Sequence, residues 1–103
     1  MIAYARDMRE REAKLFKKRR SEIQIIEGIL GVAQQGARKT ELLYKGNMSF
    51  LQLNNYLSFL IDNEIIREDI VSLGNGASTK IYKNTEKGNY LLEDINKLLT
   101  YFE

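Results

Sequence analysis

Three side-chain amides, Gln52, Asn54 and Asn55, interrupt the apolar run SFLQLNNYL of residues 49–57. An Asn or Gln amide presents a donor and an acceptor side by side, the pairing that meets N6 and N7 of adenine at the edge of a base pair. Gln52 and Asn55 lie one helical turn apart and form the candidate pair for base or backbone contact. The plainer reading, that they solvate a surface helix, stays open beside it. A cationic set stands just ahead of them: Arg38, Lys39 and Thr40, then Lys45, Asn47 and Ser49. Such residues suit phosphate oxygens, because the unsatisfied N–H groups that open a helix add positive potential there. Arg38 and Lys39 would also serve as ordinary surface charges. Farther along, Asn75 in GNGAST and Lys80 behind it make a small polar tip able to enter a minor groove, although Gly-Asn-Gly is also what any tight hairpin needs.

Net charge is only +2 over 103 residues, so its distribution says more than its sum. Residues 1–20 hold eight Lys and Arg against three Asp and Glu, peaking at KKRR, 17–20, while the remainder is net acidic. Arg19 and Arg20 therefore read as an arm for flanking phosphates, or as a solvated helix end. With no Cys and no His, thiol chemistry, disulfides and the commonest metal ligand and general base are all missing. No nucleophile–base pair, phosphate-cradling glycine loop or ligand cluster is visible. The expectation is a protein that is not an enzyme and needs no cofactor or metal. No apolar run approaches the roughly 20 residues of a membrane span, and the charged start MIAYARDMRERE lacks the apolar stretch of a secretory signal.

The elements that must position these groups follow from periodicity. Residues 1–27 contain neither Gly nor Pro, and Met1, Tyr4, Met8 and Leu15 make a thin apolar stripe along a charged helix. Ser21-x-x-Gln24 is a capping-box pattern, and SEIQIIEGILGVAQQ then repeats apolar residues at Ile23, Ile26, Leu30 and Ala33, ending at Gly36. ARKTELLYK gives a short second helix with Leu42 and Leu43 inward, closed by Gly46-Asn47. A third helix opens at Ser49, with Gln52 at the capping-box position, and runs to about Asn63. On a wheel of about 100° per residue, Phe50, Leu53, Tyr56, Leu57, Leu60 and Ile61 form its core face. Gln52, Asn55, Ser58 and Asp62 lie opposite. Leu51 and Phe59 fall among these polar residues, either under the next hairpin or on a contact surface. IIREDIVSLGNGASTKIYK reads as two strands around Gly74-Asn75-Gly76. Thr85 caps a last helix whose Leu91, Ile95, Leu98 and Phe102 follow heptad spacing. Such a line most often packs within its own chain, but three helices and a hairpin already supply a core, so with Tyr4, Met8 and Leu15 these residues form the expected dimer interface. A short helix feeding another through a tight turn, followed by a hairpin, is a winged helix-turn-helix.

These residues resemble the archaeal winged-helix DNA-binding proteins, most nearly the ten-kilodalton chromatin-protein type of Sulfolobus. The resemblance rests on Lys39-Thr40, the turn from Tyr44 to Phe50, Tyr56, Ile65-Ile66, and Tyr82 followed by Thr85-Glu86-Lys87-Gly88. It covers roughly residues 19–92. It implies dimeric, largely sequence-tolerant DNA binding, with the third helix in the major groove and pairing through long helices. Two departures stand out. Those relatives tend to carry Lys where this chain has Asn54 and Asn55, and this chain adds a basic front segment while its last helix stops at Glu103.

The fold expected is α+β and mainly helical: a winged helix-turn-helix of three helices, a β-hairpin wing and a C-terminal helix, with an N-terminal helical extension. The basic extension covers 1–20, the winged-helix DNA-binding domain 21–84 and the dimerisation helix 85–103. The function expected is a cytoplasmic, nucleoid-associated homodimer that binds double-stranded DNA with low sequence specificity, compacting or bridging it, with no membrane and no small-molecule substrate. Two rivals stand beside it. The amides at Gln52 and Asn55 favour a sequence-specific transcriptional regulator. The acidic balance after residue 20, with Leu51 and Phe59 outside, favours a winged helix used for protein–protein assembly.

Overall fold

The structure, a computed structural model, describes residues 21–102. The expected front helix, with Tyr4, Met8, Leu15, Arg19 and Arg20, lies outside them. The first described helix, α1, occupies residues 21–32, and Ser21 is itself helical. A single 3-10 turn, Ala33–Gln35, closes the helix at Gly36, whose φ is 87°. That conformation favours glycine, and Ile81 Cγ2 already stands 3.0 Å from where a Cβ would project.

Helix α2, Lys39–Gly46, ends in a left-handed Asn47 that donates its N–H to the Leu43 carbonyl. After two intervening residues, Met48 and Ser49, α3, Phe50–Asp62, begins. Strands β1, Ile66–Ser72, and β2, Ser78–Asn84, form an antiparallel hairpin in which Ile66 faces Asn84 and Ser72 faces Ser78. The other edge of β2 is stitched to the chain entering α2: Ala37 N–H donates to the Tyr82 carbonyl at 2.9 Å, and Tyr82 N–H returns to Ala37 at 2.8 Å. This exchange sets the start of α2 against the wing. Helix α4, Glu86–Thr100, is capped by Thr85, whose hydroxyl accepts from Gly88 N–H and donates to the Glu64 carbonyl at 2.6 Å. Gly88 lies against the Ile65 carbonyl so closely that no side chain fits between.

The core joins Ile29, Leu30 and Ala33, Leu42 of α2, Leu53, Leu57 and Leu60 of α3, Ile65, Ile66 and Tyr82 at the hairpin base, and Leu92, Ile95 and Leu99 of α4. Asn84 is buried among them, donating to the Leu30 carbonyl at 2.7 Å and to Asn89 at 3.1 Å, which ties β2 to α1 and α4.

Three expectations change here. Phe50, placed on the core face of α3, is 56% exposed, because it is the first residue of the helix and lies beyond the layer that Leu53 begins. Leu51 at 71% and Phe59 at 55% exposure do not lie under the hairpin. Ile95, expected between two chains, is 7% exposed in this one. The inner line of α4 is Gly88, Leu92, Ile95 and Leu99, which turns Leu98 outward and leaves Leu91 only half-buried.

Candidate nucleic-acid interface

The site begins with two helix starts. Arg38 is the extended residue before α2, and its N–H is held by Glu41 Oε1 at 3.3 Å. Lys39 and Thr40 then occupy the first helical turn, where the helix dipole supports an approaching anion. The turn Asn47-Met48-Ser49 feeds α3. There the capping box expected from the spacing is present: Ser49 Oγ accepts from Gln52 N–H at 3.1 Å, and Gln52 Oε1 accepts from Ser49 N–H at 3.1 Å.

An open cleft of about 420 Å³ lies between α2 and the wing, lined by Arg38, Lys39 and Thr40 on one side and Ser78, Thr79, Lys80 and Tyr82 on the other. Four sequence-derived candidates, Arg38, Lys39, Thr40 and Lys80, thus converge on one surface. Lys39 is the pivot. It also lines a neighbouring cleft of about 260 Å³ between α3 and the wing, together with Asn54, Ser58, Asp62 and Glu68. Its ammonium stands 5.2 Å from the Phe50 ring centroid and 5.8 Å from that of Tyr82.

Gln52 and Asn55 do not share that cleft. Asn55 rims a third, more apolar groove of about 310 Å³ toward α1, with Ile26, Tyr56 and Phe59. Asn54 instead faces the wing. Because its oxygen is engaged in the cap, Gln52 cannot offer a donor–acceptor pair while the box holds. Lys45, Asn47 and Asn75 are exposed, the first two around the turn and Asn75 at the hairpin tip.

Electrostatically the surface is mixed. Lys80 pairs with Glu68 at 3.5 Å, and Arg67 with Asp69 at 3.1 Å. Among the described residues no ion pair involves Arg38, Lys39 or Lys45. Helix α3 carries no Lys or Arg, and its one charge is Asp62 near its C-terminal end. Burial pushes the Tyr82 hydroxyl pKa up, and its hydrogen bond to Glu68 raises it further. Burial and then Glu22 do the same for Tyr56. The arrangement can hold anions and read polar edges. Among the described residues no group of His, Cys, Asp and Glu could hold a metal ion, and no helix is long and apolar enough to cross a membrane.

Sequence reasoning named Ser78 and Thr79 only as part of the GNGAST tip, and missed Tyr82 as a cleft residue and the two rings around Lys39. The strand register supplies the first three. Nothing in the linear sequence brings Phe50 and Tyr82 to the same lysine.

The sequence profile of the winged helix-turn-helix family matches residues 19–102. An uncharacterized protein of Methanocaldococcus jannaschii is 33% identical over 81 residues, covering 78% of this chain and 34% of that protein. The chain thus spans about a third of that relative's length. A solved structure described as a PadR-like transcription factor from Bacteroides fragilis superposes with a TM-score of 0.68 over 87% of this chain and 91% of that one, at 17% identity. At that identity the likeness is one of fold.

Proposed function

The chain belongs to the winged helix-turn-helix family, and from that premise we propose that it binds double-stranded DNA and regulates transcription at the sites it occupies. The observation that carries this reading is the convergence of Arg38, Lys39, Thr40 and Lys80 on one open cleft beside the exposed face of α3. A major groove about 12 Å wide admits a helix. With α3 inserted, the start of α2 meets the phosphates at the groove edge and the tip around Asn75 reaches the neighbouring minor groove. Phosphate contacts set register and base contacts specify sequence. Because α3 has no cation, base edges and methyl groups are what it can recognise. That favours regulation over binding by charge alone, as does the description of the Bacteroides fragilis neighbour as a transcription factor.

Pairing of two chains belongs to the same reading. Leu91 and Leu98 lie along the partly exposed side of α4, with Phe102 in the turn just past its end, and a symmetric pair would present two copies of α3 to successive turns of one duplex, about 34 Å apart. The work is done by binding, without catalysis, cofactor, membrane or small-molecule substrate, on nucleoid DNA in the cytoplasm. Nucleoid organisation with little sequence preference is the second reading, favoured by the concentration of positive charge in residues 1–20.

Gel-shift titration at two salt concentrations, on random and A·T-rich duplexes, tests both. Regulation predicts that unrelated competitor DNA leaves a preferred duplex bound. Organisation predicts equal displacement, with affinity falling along a log–log salt slope of about −0.9 per phosphate neutralised. No shift of any duplex at low salt rejects DNA binding altogether.

A further inference from the structure

We infer that Leu51 reads the C5-methyl group of a thymine in the major groove, with Asn55 on an adenine close by, so that the preferred DNA is A·T-biased. This rests on the DNA-binding reading above and names its target class.

Leu51 is the second residue of α3 and is 71% exposed, well beyond Phe50 or Phe59. Each of those aromatic neighbours has a local role. Phe50 covers the Lys39 ammonium and Phe59 lines the groove toward α1. Leu51 contributes to neither and does not belong to the core. Helical spacing puts it in line with Asn55, Ser58 and Asp62, opposite the buried Leu53, Leu57 and Leu60. Along that line the chemistry runs from methyl to amide to hydroxyl to carboxylate. A groove walled by phosphates repels Asp62 and attracts the positive N-terminal end of a helix. Helix α3 therefore enters by its first turns, which sets Leu51 and Asn55 deepest and Asp62 toward the rim.

In that position the two side chains match one kind of base pair. Thymine shows a methyl group in the major groove, and adenine shows the N7 acceptor beside the N6 donor that an Asn amide meets with two hydrogen bonds. Gln52 is excluded from that pairing because its oxygen is held by Ser49 N–H at 3.1 Å. Side chains four apart on a helix have Cβ atoms about 6 Å apart. With base steps of about 3.4 Å along a strand, Leu51 and Asn55 cover a thymine and an adenine no more than about two steps from each other.

The test compares an A·T-rich duplex with the same duplex carrying deoxyuridine for every thymidine, which removes only the methyl groups, and with a G·C duplex of equal length. The full chain should bind the thymidine duplex about fourfold more tightly for each methyl contact. Leu51→Ala, at an exposed position that leaves the core intact, should bind both A·T duplexes alike. Asn55→Ala should weaken the preference for A·T over G·C while keeping the methyl effect. Equal affinity of the unaltered protein for thymidine and deoxyuridine duplexes overturns the inference and leaves DNA binding standing. Failure to bind any of the three overturns both, and directs Leu51 to a protein partner.

Discussion

The Lys39 ammonium lies close to two aromatic rings from different elements, 5.2 Å from the centroid of Phe50 at the start of α3 and 5.8 Å from that of Tyr82 in β2. A lysine left to itself is a strongly hydrated charge on a flexible stem. Here both rings lie near it, at the junction where the two clefts meet.

Replacing this lysine should have two separable effects. Lys39→Ala weakens binding to every duplex alike and lowers the magnitude of the salt slope by about 1. It also lowers stability by about 0.5–1 kcal/mol, the usual worth of an exposed cation–π contact. Lys39→Arg retains both functions. Salt-dependent titrations and urea melts of the two variants measure the contrast.

Stability should fall at alkaline pH, and Tyr82 accounts for part of the fall. Its pKa is raised in the folded chain, first by burial and then by Glu68. Below about pH 10, the ordinary tyrosine value, the group is protonated whether or not the chain is folded, and its contribution is fully present. As pH rises past that value the unfolded chain releases its proton first, which favours unfolding. Tyr56 shifts in the same direction. Tyr82→Phe should therefore flatten the decline without abolishing it, as read from melting temperatures between pH 8 and pH 11.

The two sides of α4 should separate folding from assembly. Ile95 is in the core, and Ile95→Ala should cost about 2–5 kcal/mol of stability. Leu98 is 42% exposed, and Leu98→Asp should leave the melting temperature of the chain nearly unchanged while shifting its light-scattering mass from dimer to monomer at micromolar concentration. A monomeric mass for the unaltered protein would remove pairing from the account.

Much of the fold was legible in the sequence because its signals are local. Ser49 and Gln52 are three residues apart, and the cap they form depends on nothing else. Gly36, Asn47, the Gly74-Asn75-Gly76 tip and Thr85 likewise mark their boundaries through backbone chemistry read within a few residues. What escaped depends on distant partners. On α4 two apolar lines share Ile95, one through Leu91 and Leu98 and one through Leu92 and Leu99. Spacing alone does not say which faces inward; the close approach of Gly88 to Ile65 decides it. Phe50 fits the core stripe by angle but stands at the helix end, where the core has stopped. The candidate site was legible as a set of residue types. Its division into three grooves came only from the packing of α1, α2, α3 and the wing.

In the proposed function, one face, made by the start of α2, the outer side of α3 and the wing, receives a DNA duplex. Titrating a short A·T-rich duplex into isotopically labelled protein and following the backbone amide resonances tests it most directly. The shifts should gather at residues 38–40, 49–55 and 75–80, with Leu92, Ile95 and Leu99 undisturbed. Shifts confined to α1 and α4, or none at all at low salt, would contradict it.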